Sequence, residues 1–258
     1  MKKVVYTCLT GNYDILRQPL AVAEDWDFVC FCDGPVPCED GGYVTPGERR
    51  GVWQMREIPF TGDSKTLSRY PKIMPHKVLG KYDWSLYIDA NLQIREKALY
   101  EIADQHISED HIICQVPHPE RDCMYDEIVE CYKSRHIKYL SARHLRNSLI
   151  KKGFPRRFGL WENNIILRSH NDPKIIALDE SWWNDWENGP KRDQLSLAYR
   201  YWTFNLRPYL LFGEGVNARN TPLLKYYAHA VTPSRMSWFR RKTERIRIKW
   251  MCFIAEKL

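Results

Sequence analysis

Residues 83–94 of the chain read D-W-S-L-Y-I-D-A-N-L-Q-I, and this stretch decides the fold. Its centre, residues 86–88, is a short apolar run of strand-favouring residues, which predicts a buried strand. Asp89 and Asn91 follow at the carboxyl end of that strand. Because side chains two residues apart on an extended chain point to the same side, these two could face one ligand.

The D-x-N sequence at this place indicates an ion site. Ligands of open α/β sheets bind beyond the carboxyl ends of the strands. Oxygen ligands there suit a hard divalent cation that holds a phosphate group. Asp89 could instead only cap the turn after a core strand, so the rest of the chain has to decide between these two interpretations.

The composition is that of an ordinary globular protein. The chain has 258 residues, of which 44% are hydrophobic and 28% are charged, enough for one large domain or two small ones. The net charge is +7, but eight basic and only two acidic residues fall between 235 and 258. The remainder is therefore nearly neutral, and we expect no nucleic-acid-binding surface on it.

Residues 235–258 are predicted to form a basic amphipathic C-terminal tail, separate from a domain that spans 1–234. Apolar residues such as Trp238, Ile246 and Trp250 lie among the basic ones. Such a segment commonly lies on an anionic membrane surface, although packing on the body of the protein is the alternative.

The amino terminus and the cysteines indicate a cytoplasmic protein. Residues 1–3 lead straight into the first predicted strand without the apolar region of a signal peptide, and no run is long enough to cross a membrane. The eight cysteines include no C-x-x-C pair, so we expect reduced thiols and no zinc site. We predict a cytoplasmic location, peripheral at the inner face of the membrane if the tail binds lipid.

The first predicted strand, residues 3–9, ends in the polar turn T-G-N-Y-D at residues 10–14. A first strand that ends in such a loop is where α/β folds commonly bind a nucleotide, although a plain turn explains the sequence equally well. A second strand, residues 27–33, is also closed by an acidic residue, Asp33.

Four potential cations come directly before the D-x-N strand: Arg69, Lys72, His76 and Lys77. Two prolines, at positions 71 and 75, are expected to limit regular structure up to residue 75, with a short helix after it. The cations could neutralise a diphosphate, or they could form a solvated basic face.

Further elements follow the central strand. Residues 96–106 predict a helix and residues 111–116 a strand. From Tyr125 onwards, apolar residues recur at helical spacing until Gly153, a pattern typical of a helix that packs on the core.

Two segments with candidate site residues lie in about the last 100 residues of the chain. The residues W-E-N-N at 161–164 directly precede an apolar strand. Pro190 suits the first turn of a helix, which would place Asp193 and Gln194 near the amino end of that helix.

Together these motifs resemble a known family. The chain is similar to the plant and bacterial TOD1/MUCI70-type glycosyltransferase-like family, which includes mucilage-related and turgor-regulation proteins. The resemblance covers roughly residues 3–230. It rests on the combination of T-G-N-Y-D (10–14), R-Y-P-K-I-M-P-H-K (69–77), W-S-L-Y-I-D-A-N-L-Q (84–93), H-P-E-R-D-C-M-Y-D-E (118–127), W-E-N-N (161–164) and R-D-Q-L-S (192–196).

More distantly, the order of the motifs resembles the GT-A enzymes of glycosyltransferase family 8. This resemblance implies an α/β, GT-A-like (Rossmann-like) nucleotide-diphospho-sugar transferase fold, with a mixed, mostly parallel central sheet flanked by helices.

The resemblance also implies a metal site and two catalytic carboxylates. Asp89 would be the first D-x-D carboxylate, Asn91 would stand at the second, and His229 would be the late histidine, so that these three would hold Mn²⁺ or Mg²⁺. Because Asn91 is neutral, the site has one anionic ligand fewer, and the ion would be weakly bound or absent. Asp193, which matches a D-Q motif, and Asp89 would be catalytic.

The remaining implied site residues form two groups. The nucleotide-sugar group comprises Thr10, Gly11, Asn12, Tyr13, Arg69, Lys72, His76, Lys77, Asp89, Ala90 and Asn91. The acceptor and sugar group comprises His118, Arg121, Trp161, Glu162, Asn163, Asn164 and Gln194.

We therefore expect a glycosyltransferase that moves a sugar from a nucleoside diphosphate sugar to a hydroxyl group. The resemblance favours a uridine nucleotide, a glycan or lipid-linked acceptor, and a role in cell-surface polysaccharide or glycolipid synthesis. The diphosphate leaving group needs a divalent ion and nearby cations. Asp193 would act as a base in an inverting reaction or as a stabiliser in a retaining one.

Two other functions stay open. Ceramidase activity has been attributed within the resembling family, which makes a lipid amidase the first alternative. That chemistry usually needs a metal-bound water or an activated serine, and the sequence has no H-E-x-x-H, no G-x-S-x-G and no dense histidine cluster. A sugar-nucleotide-binding protein without turnover is the second alternative, and the neutral Asn91 is its only support.

Overall fold

The computed structural model describes residues 1–228, which form one large sheet with helices on both faces. The strands are β1 (Lys3–Leu9), β2 (Trp26–Cys32), β3 (Val36–Pro37), β4 (Tyr43–Val44), β5 (Arg49–Arg50), β6 (Trp53–Glu57), β7 (Trp84–Ile88), β8 (Leu92–Ile94), β9 (Ile113–Pro117), β10 (Trp161–Arg168), β11 (Tyr209–Leu210) and β12 (Leu224–Tyr226). The helices are α1 (Ser64–Ile73), α2 (Pro75–Val78), α3 (Ala98–Ser108), α4 (Met124–Lys133), α5 (Tyr139–Lys151), α6 (Pro173–Asn188), a 3₁₀ helix (Asp193–Leu195) and α7 (Leu197–Thr203).

The main sheet has eight strands in the order β11-β9-β10-β7-β1-β2-β6-β5. Strand β1 is parallel to both β2 and β7, whereas β10 runs antiparallel between β7 and β9. The carboxyl ends of β1, β2, β7 and β9 therefore lie at one edge with the amino end of β10. This mixed, mostly parallel sheet confirms the predicted α/β class and the Rossmann-like GT-A arrangement.

Apolar side chains fill both faces of the sheet, as expected for strands covered by helices. Alternate residues of β1 divide between the two cores: Tyr6 packs on the side of α1, α4 and α6, and Val5 on the side of α3. The predicted strand at 86–88 is fully buried within β7. Tyr125 and Tyr132 of α4 belong to the first core, as predicted from their helical spacing.

The expectation that Pro71 and Pro75 would limit regular structure up to residue 75 was wrong for residues 64–73, which form a helix. Helix α1 includes Pro71, because Asp63 caps its amino end by accepting a 2.7 Å hydrogen bond from Thr66 N, and the helix ends two residues after the proline. Pro75 starts α2, where its missing N–H costs nothing. Arg69 and Lys72 therefore share one face of a helix.

Two other boundaries differ from the predictions. The helical pattern that begins at Tyr125 forms two helices, α4 and α5, and the chain turns between them at Arg135, which has a φ of 61°. No helix begins at Pro190, because Lys191 has a φ of 55° and the 3₁₀ helix starts only at Asp193. Both turns use left-handed backbone that the apolar pattern does not reveal.

Seven cysteines are buried and free of disulfides in the described residues. None of the helices within 1–228 is long and apolar enough to span a membrane. His229, the boundary predicted at residue 234 and the tail at 235–258 lie outside the described residues.

Candidate functional site

A buried lysine joins two carboxylates at the carboxyl edge of the sheet. Nζ of Lys72 lies 3.3 Å from Oδ1 of Asp89 and 2.9 Å from Oδ2 of Asp193. Only 2% of the lysine side chain is exposed. Helix α1, the end of β7 and the 3₁₀ helix thus meet at one charged cluster, and it contains both of the predicted catalytic carboxylates.

Asp193 carries its charge in this cluster. Burial alone would raise the pKa of Asp193, but the positive charges of Lys72, Arg69 and Arg192 outweigh burial and hold the pKa well below its ordinary value. Nε of Arg69 lies 3.4 Å from Oδ2 of Asp193. A carboxylate with so low a pKa is a poor proton acceptor near neutral pH and a good fixed negative charge.

Asp89 is bound through one of its two oxygens. The hydroxyl of Tyr87 donates a 2.6 Å hydrogen bond to Oδ1, the same atom that Lys72 contacts. Burial first, and then the charge of Asp89, raise the pKa of Tyr87 well above its ordinary value, so the tyrosine remains a donor. Side-chain exposure of Asp89 is 33%, and Oδ2 is the oxygen that it can offer to an ion or a ligand.

Asn91 holds the last described segment against the end of β7. Its Nδ2 donates a 3.0 Å hydrogen bond to the carbonyl of Tyr227, whose own N–H donates to the Asn91 carbonyl. Of the two polar atoms of this amide, the oxygen is of the kind that binds hard divalent ions. Two oxygens, from Asp89 and Asn91, fit a hard divalent ion that completes its shell with phosphate and water.

A second buried network lies beneath the cluster and positions α1. The guanidinium of Arg168 is fully buried and forms an ion pair with Asp179 at 2.8 Å. It also donates one hydrogen bond to the backbone carbonyl of Lys72 and another, of 2.8 Å, to the hydroxyl of Tyr6. Burial raises the pKa of Asp179 to about 7, although the charge of Arg168 opposes this shift. Arg168 therefore ties α1, β1, β10 and α6 together directly below Lys72.

The loop after β1 contacts the end of β2 and the start of α1. Gly11 N–H donates to both carboxylate oxygens of Asp33 at 3.2 Å, and the Thr10 hydroxyl donates to the Ser64 carbonyl at 2.7 Å. Gly11 has a φ of 61°, and a Cβ there would lie 3.0 Å from the Ser64 side chain. This polar corner, at the carboxyl edge of the sheet, contains the predicted nucleotide residues Asn12 and, half-exposed, Tyr13.

Three of the predicted acceptor residues, His118, Arg121 and Trp161, line an open cleft of about 410 Å³. Pro117, His118, Glu120, Arg121, Asp122, Gly159, Leu160 and Trp161 form its walls. Arg121 pairs with the buried Glu127 at 2.7 Å, and Nε2 of His118 lies 3.7 Å from the same carboxylate. Nδ1 of His118 accepts from the backbone N–H of Arg121 at 3.1 Å, so the proton of the neutral ring lies on Nε2.

The acceptor cleft adjoins the charged cluster through the 3₁₀ helix. The side chain of Gln194 donates to the backbone carbonyl of Trp161, next to the cleft. The indole N–H of Trp182 donates to the carbonyl of Asp193 at 3.2 Å. These two bonds hold the 3₁₀ helix between β10 and α6, with Asp193 beside Lys72.

The W-E-N-N segment forms the irregular start of β10. The side-chain oxygen of Asn163 accepts a 3.0 Å hydrogen bond from the Gln115 side chain. The side chain of Asn164 donates a 3.2 Å hydrogen bond to Glu162, which also forms an ion pair with Arg219. Burial raises the pKa of Glu162 despite the charge of Arg219. Within residues 1–228, Nδ2 of Asn163 and Oδ1 of Asn164 are buried without a hydrogen-bond partner, a cost that a bound ligand could remove.

Three predicted nucleotide-sugar residues have other contacts. His76 and Lys77 lie on α2 and contact Glu180 of α6, at 3.7 Å and 3.1 Å, rather than the Asp89 cluster. The backbone carbonyl of Ala90 accepts a 3.4 Å hydrogen bond from the guanidinium of Arg17.

The comparison with known families is decisive for the identity of this chain. The model of the TOD1/MUCI70, glycosyltransferase-like domain, matches residues 1–213. The chain belongs to this family. A comparison with curated proteins returned no match. Membership in the TOD1/MUCI70 family supports a glycosyltransferase-like function, and the match contains all elements that build the charged cluster.

The structure adds residues of this TOD1/MUCI70 domain that the sequence analysis did not assign to the site. Three of these residues could have been recognised from the sequence. Asp33 closes a predicted strand, and Glu127 and Arg192 lie inside two of the motifs quoted above. Ser64 and Arg168 could not have been recognised, since a helix-start serine and an arginine at a strand end are ordinary residues. Their roles depend on partners that are distant in sequence.

Proposed function

We propose that this protein is a glycosyltransferase that moves a sugar from a nucleoside diphosphate sugar to a hydroxyl group. The observation that carries the proposal is the buried Lys72 between Asp89 and Asp193 at the carboxyl edge of a GT-A-like sheet. Ligands of such sheets bind at this edge. The family resemblance favours a uridine nucleotide as the donor.

The donor would extend across the edge from the β1 loop to the charged cluster. Thr10, Gly11, Asn12 and Tyr13 would contact the nucleoside beside Asp33. The diphosphate would then lie near Arg69 and Lys72, whose positive charges stabilise the negative charge that develops on the leaving group. Binding at this place would orient the sugar toward Asp193.

A divalent ion would be held by Asp89 and Asn91, with Mn²⁺ or Mg²⁺ as the candidates and His229 as a further predicted ligand. When bound, the ion would neutralise part of the diphosphate charge. The ion would bind Oδ2 of Asp89. Lys72 contacts Oδ1, so the lysine would fix the orientation of the carboxylate.

Asp193 would stabilise positive charge on the sugar rather than accept a proton. Its pKa is held far below neutral by Lys72, Arg69 and Arg192, and its carboxylate remains negative throughout the reaction. This assignment favours the stabilising role that a retaining reaction requires. Asn163 and Asn164, each with one unpartnered buried amide atom, would then bind sugar hydroxyls together with Gln194 and Glu162.

The acceptor would enter through the cleft of His118, Arg121 and Trp161. An open cleft with charged side chains and one aromatic wall suits a glycan, since sugar rings pack on aromatic side chains while their hydroxyls bind polar groups. The basic tail at 235–258 would bring the protein to the inner face of a membrane, where a lipid-linked glycan is the matching acceptor. Cell-surface polysaccharide or glycolipid synthesis is the process we infer.

Thermal melting in the presence of nucleotides tests the donor class. A ligand that binds only the folded state raises the melting temperature with the logarithm of its concentration over its dissociation constant. We expect one clear stabiliser, a uridine diphosphate, in a panel of nucleoside diphosphates with Mn²⁺. A flat panel combined with ceramide cleavage would overturn the proposal in favour of the amidase.

A further inference from the structure

A cluster of two histidines and a glutamate lies at the opposite end of the sheet from the candidate site. His106 is in the last turn of α3, Glu109 follows this helix, and His111 precedes β9. The Nδ1 atoms of the two histidines are 2.8 Å apart, and Oε2 of Glu109 lies 3.3 Å from Nδ1 of His111. One possible ligand atom of each residue lies within 4.8 Å of the others.

Contacts outside the cluster orient both rings. Nε2 of His106 lies 3.2 Å from the backbone carbonyl of Leu211, and this bond places the ring proton on Nε2. Nδ1 of His106 then presents a lone pair to His111. Metal-binding histidines are commonly held in this way, with the second ring nitrogen donating to a backbone carbonyl.

The ring of His111 is fixed by stacking. It lies parallel to the ring of Tyr209 in β11, with 3.5 Å between ring centroids and 13° between planes. The three residues offer two imidazole nitrogens and one carboxylate. Zn²⁺ and the neighbouring first-row transition-metal ions prefer ligands of this kind.

We propose that His106, Glu109 and His111 bind a divalent transition-metal ion, Zn²⁺ above all, with water in the remaining position. Zinc–nitrogen distances of about 2.1 Å at a tetrahedral centre put two ligand nitrogens about 3.4 Å apart, so the two Nδ1 atoms, now 2.8 Å apart, would separate by about 0.6 Å when the ion enters. The ion would tie the end of α3 to β9 and, through Leu211 and Tyr209, to the edge strand β11. Its role is structural and independent of sugar transfer.

Cobalt binding to the full chain tests this site. Co²⁺ replaces Zn²⁺ in such sites and absorbs visible light when imidazole and carboxylate ligands surround it at a tetrahedral centre. With excess Mg²⁺ present to saturate the site at Asp89, we expect one Co²⁺ per chain with this absorption. Glu109→Gln and His111→Asn should each weaken Co²⁺ binding at least tenfold, whereas His144→Ala, a change of an exposed histidine on α5, should not.

Melting curves separate a lost site from a lost fold. Glu109 is about half-exposed, so Glu109→Gln should melt close to the wild-type temperature without metal, and Zn²⁺ should raise the melting temperature of wild type more than that of this variant. Equal Co²⁺ affinity in wild type, Glu109→Gln and His111→Asn would overturn the proposal. Absence of Co²⁺ binding by wild type would do the same.

Discussion

Lys72 and Asp193 form a buried ion pair, with Nζ 2.9 Å from Oδ2, that joins helix α1 to the 3₁₀ helix at the carboxyl edge of the sheet. The same ammonium contacts Asp89 at the end of β7. Three segments far apart in sequence are thereby held at one point. We therefore expect the stability of this charged cluster to depend on Lys72.

Replacing the lysine should therefore reduce stability as well as function. Lys72→Met leaves Asp193 buried with Arg69 as its remaining close partner, and loss of one member of a buried pair costs about 3 kcal/mol. Chemical denaturation measures this loss. The matched control is Lys77→Met on α2, a half-exposed lysine that contacts Glu180 and should change the free energy of unfolding by less than about 1 kcal/mol. Equal effects of the two changes would contradict the central position of Lys72.

The lowered pKa of Asp193 makes its contribution to stability depend on pH. A carboxyl group whose pKa is lower in the folded than in the unfolded protein stabilises the fold above its unfolded pKa, which is 3.8 in the reference state. This stabilisation declines progressively as the pH falls from that value toward the lower pKa of the folded protein. The difference in unfolding free energy between wild type and Asp193→Asn should be constant from pH 7 to about pH 5 and should shrink below pH 4.

Urea titrations at several pH values measure that difference. Asp110→Asn, a change of an exposed aspartate, serves as the control and should show almost no difference from wild type at any pH. A gap between wild type and Asp193→Asn that widens in acid would show that Asp193 is not held in its charged form.

Asp89 should be needed for ion binding but not for folding. Its side chain is one-third exposed, so Asp89→Ala should lower the melting temperature less than Lys72→Met does, while it removes the anionic ligand of the proposed ion. Calorimetry of Mn²⁺ binding in the presence of UDP should show at least a tenfold loss of affinity. A large fall in melting temperature would instead support the role of Asp89 as a turn cap.

Asp33 should support the nucleotide loop. Its carboxylate accepts from Gly11 N–H and from the Ser64 hydroxyl, and Asp33→Ala frees the loop from both contacts. We expect about tenfold weaker UDP binding, measured by calorimetry, because the loop must then be ordered by the ligand. Asp40→Ala is the control, since this exposed aspartate pairs with Arg50 outside the site. Unchanged UDP affinity in Asp33→Ala would exclude this corner as the nucleotide site.

Much of the fold could be predicted from local patterns. The buried run 86–88 and the apolar first strand predicted the centre of the sheet, and Asp89 was expected at its carboxyl edge because strand direction fixes that position. The helix with Pro71 could not be predicted, since its stability depends on the cap at Asp63 and on packing. The left-handed turns at Arg135 and Lys191 could not be predicted either, because the apolar pattern does not reveal their backbone angles.

The candidate site could be predicted only by residue type. Asp89, Lys72 and Asp193 were each assigned from a motif, but their contact depends on how α1 and the 3₁₀ helix pack, which no local pattern contains. Arg168 shows this limit most clearly. Its guanidinium donates a hydrogen bond to the carbonyl of Lys72, and only the folded chain brings the two residues together.

Release of UDP from a panel of UDP-sugars tests the central claim most directly. Wild type with Mn²⁺ should slowly hydrolyse one UDP-sugar without an acceptor. Lys72→Met and Asp193→Asn should lower the rate at saturating donor by about 100-fold, because each removes a charge that acts on the transition state. Asp193→Asn should change the KM for the donor much less than the rate. Hydrolysis that is equally fast in wild type and both variants would contradict the account, as would ceramide cleavage by a protein that leaves every UDP-sugar intact.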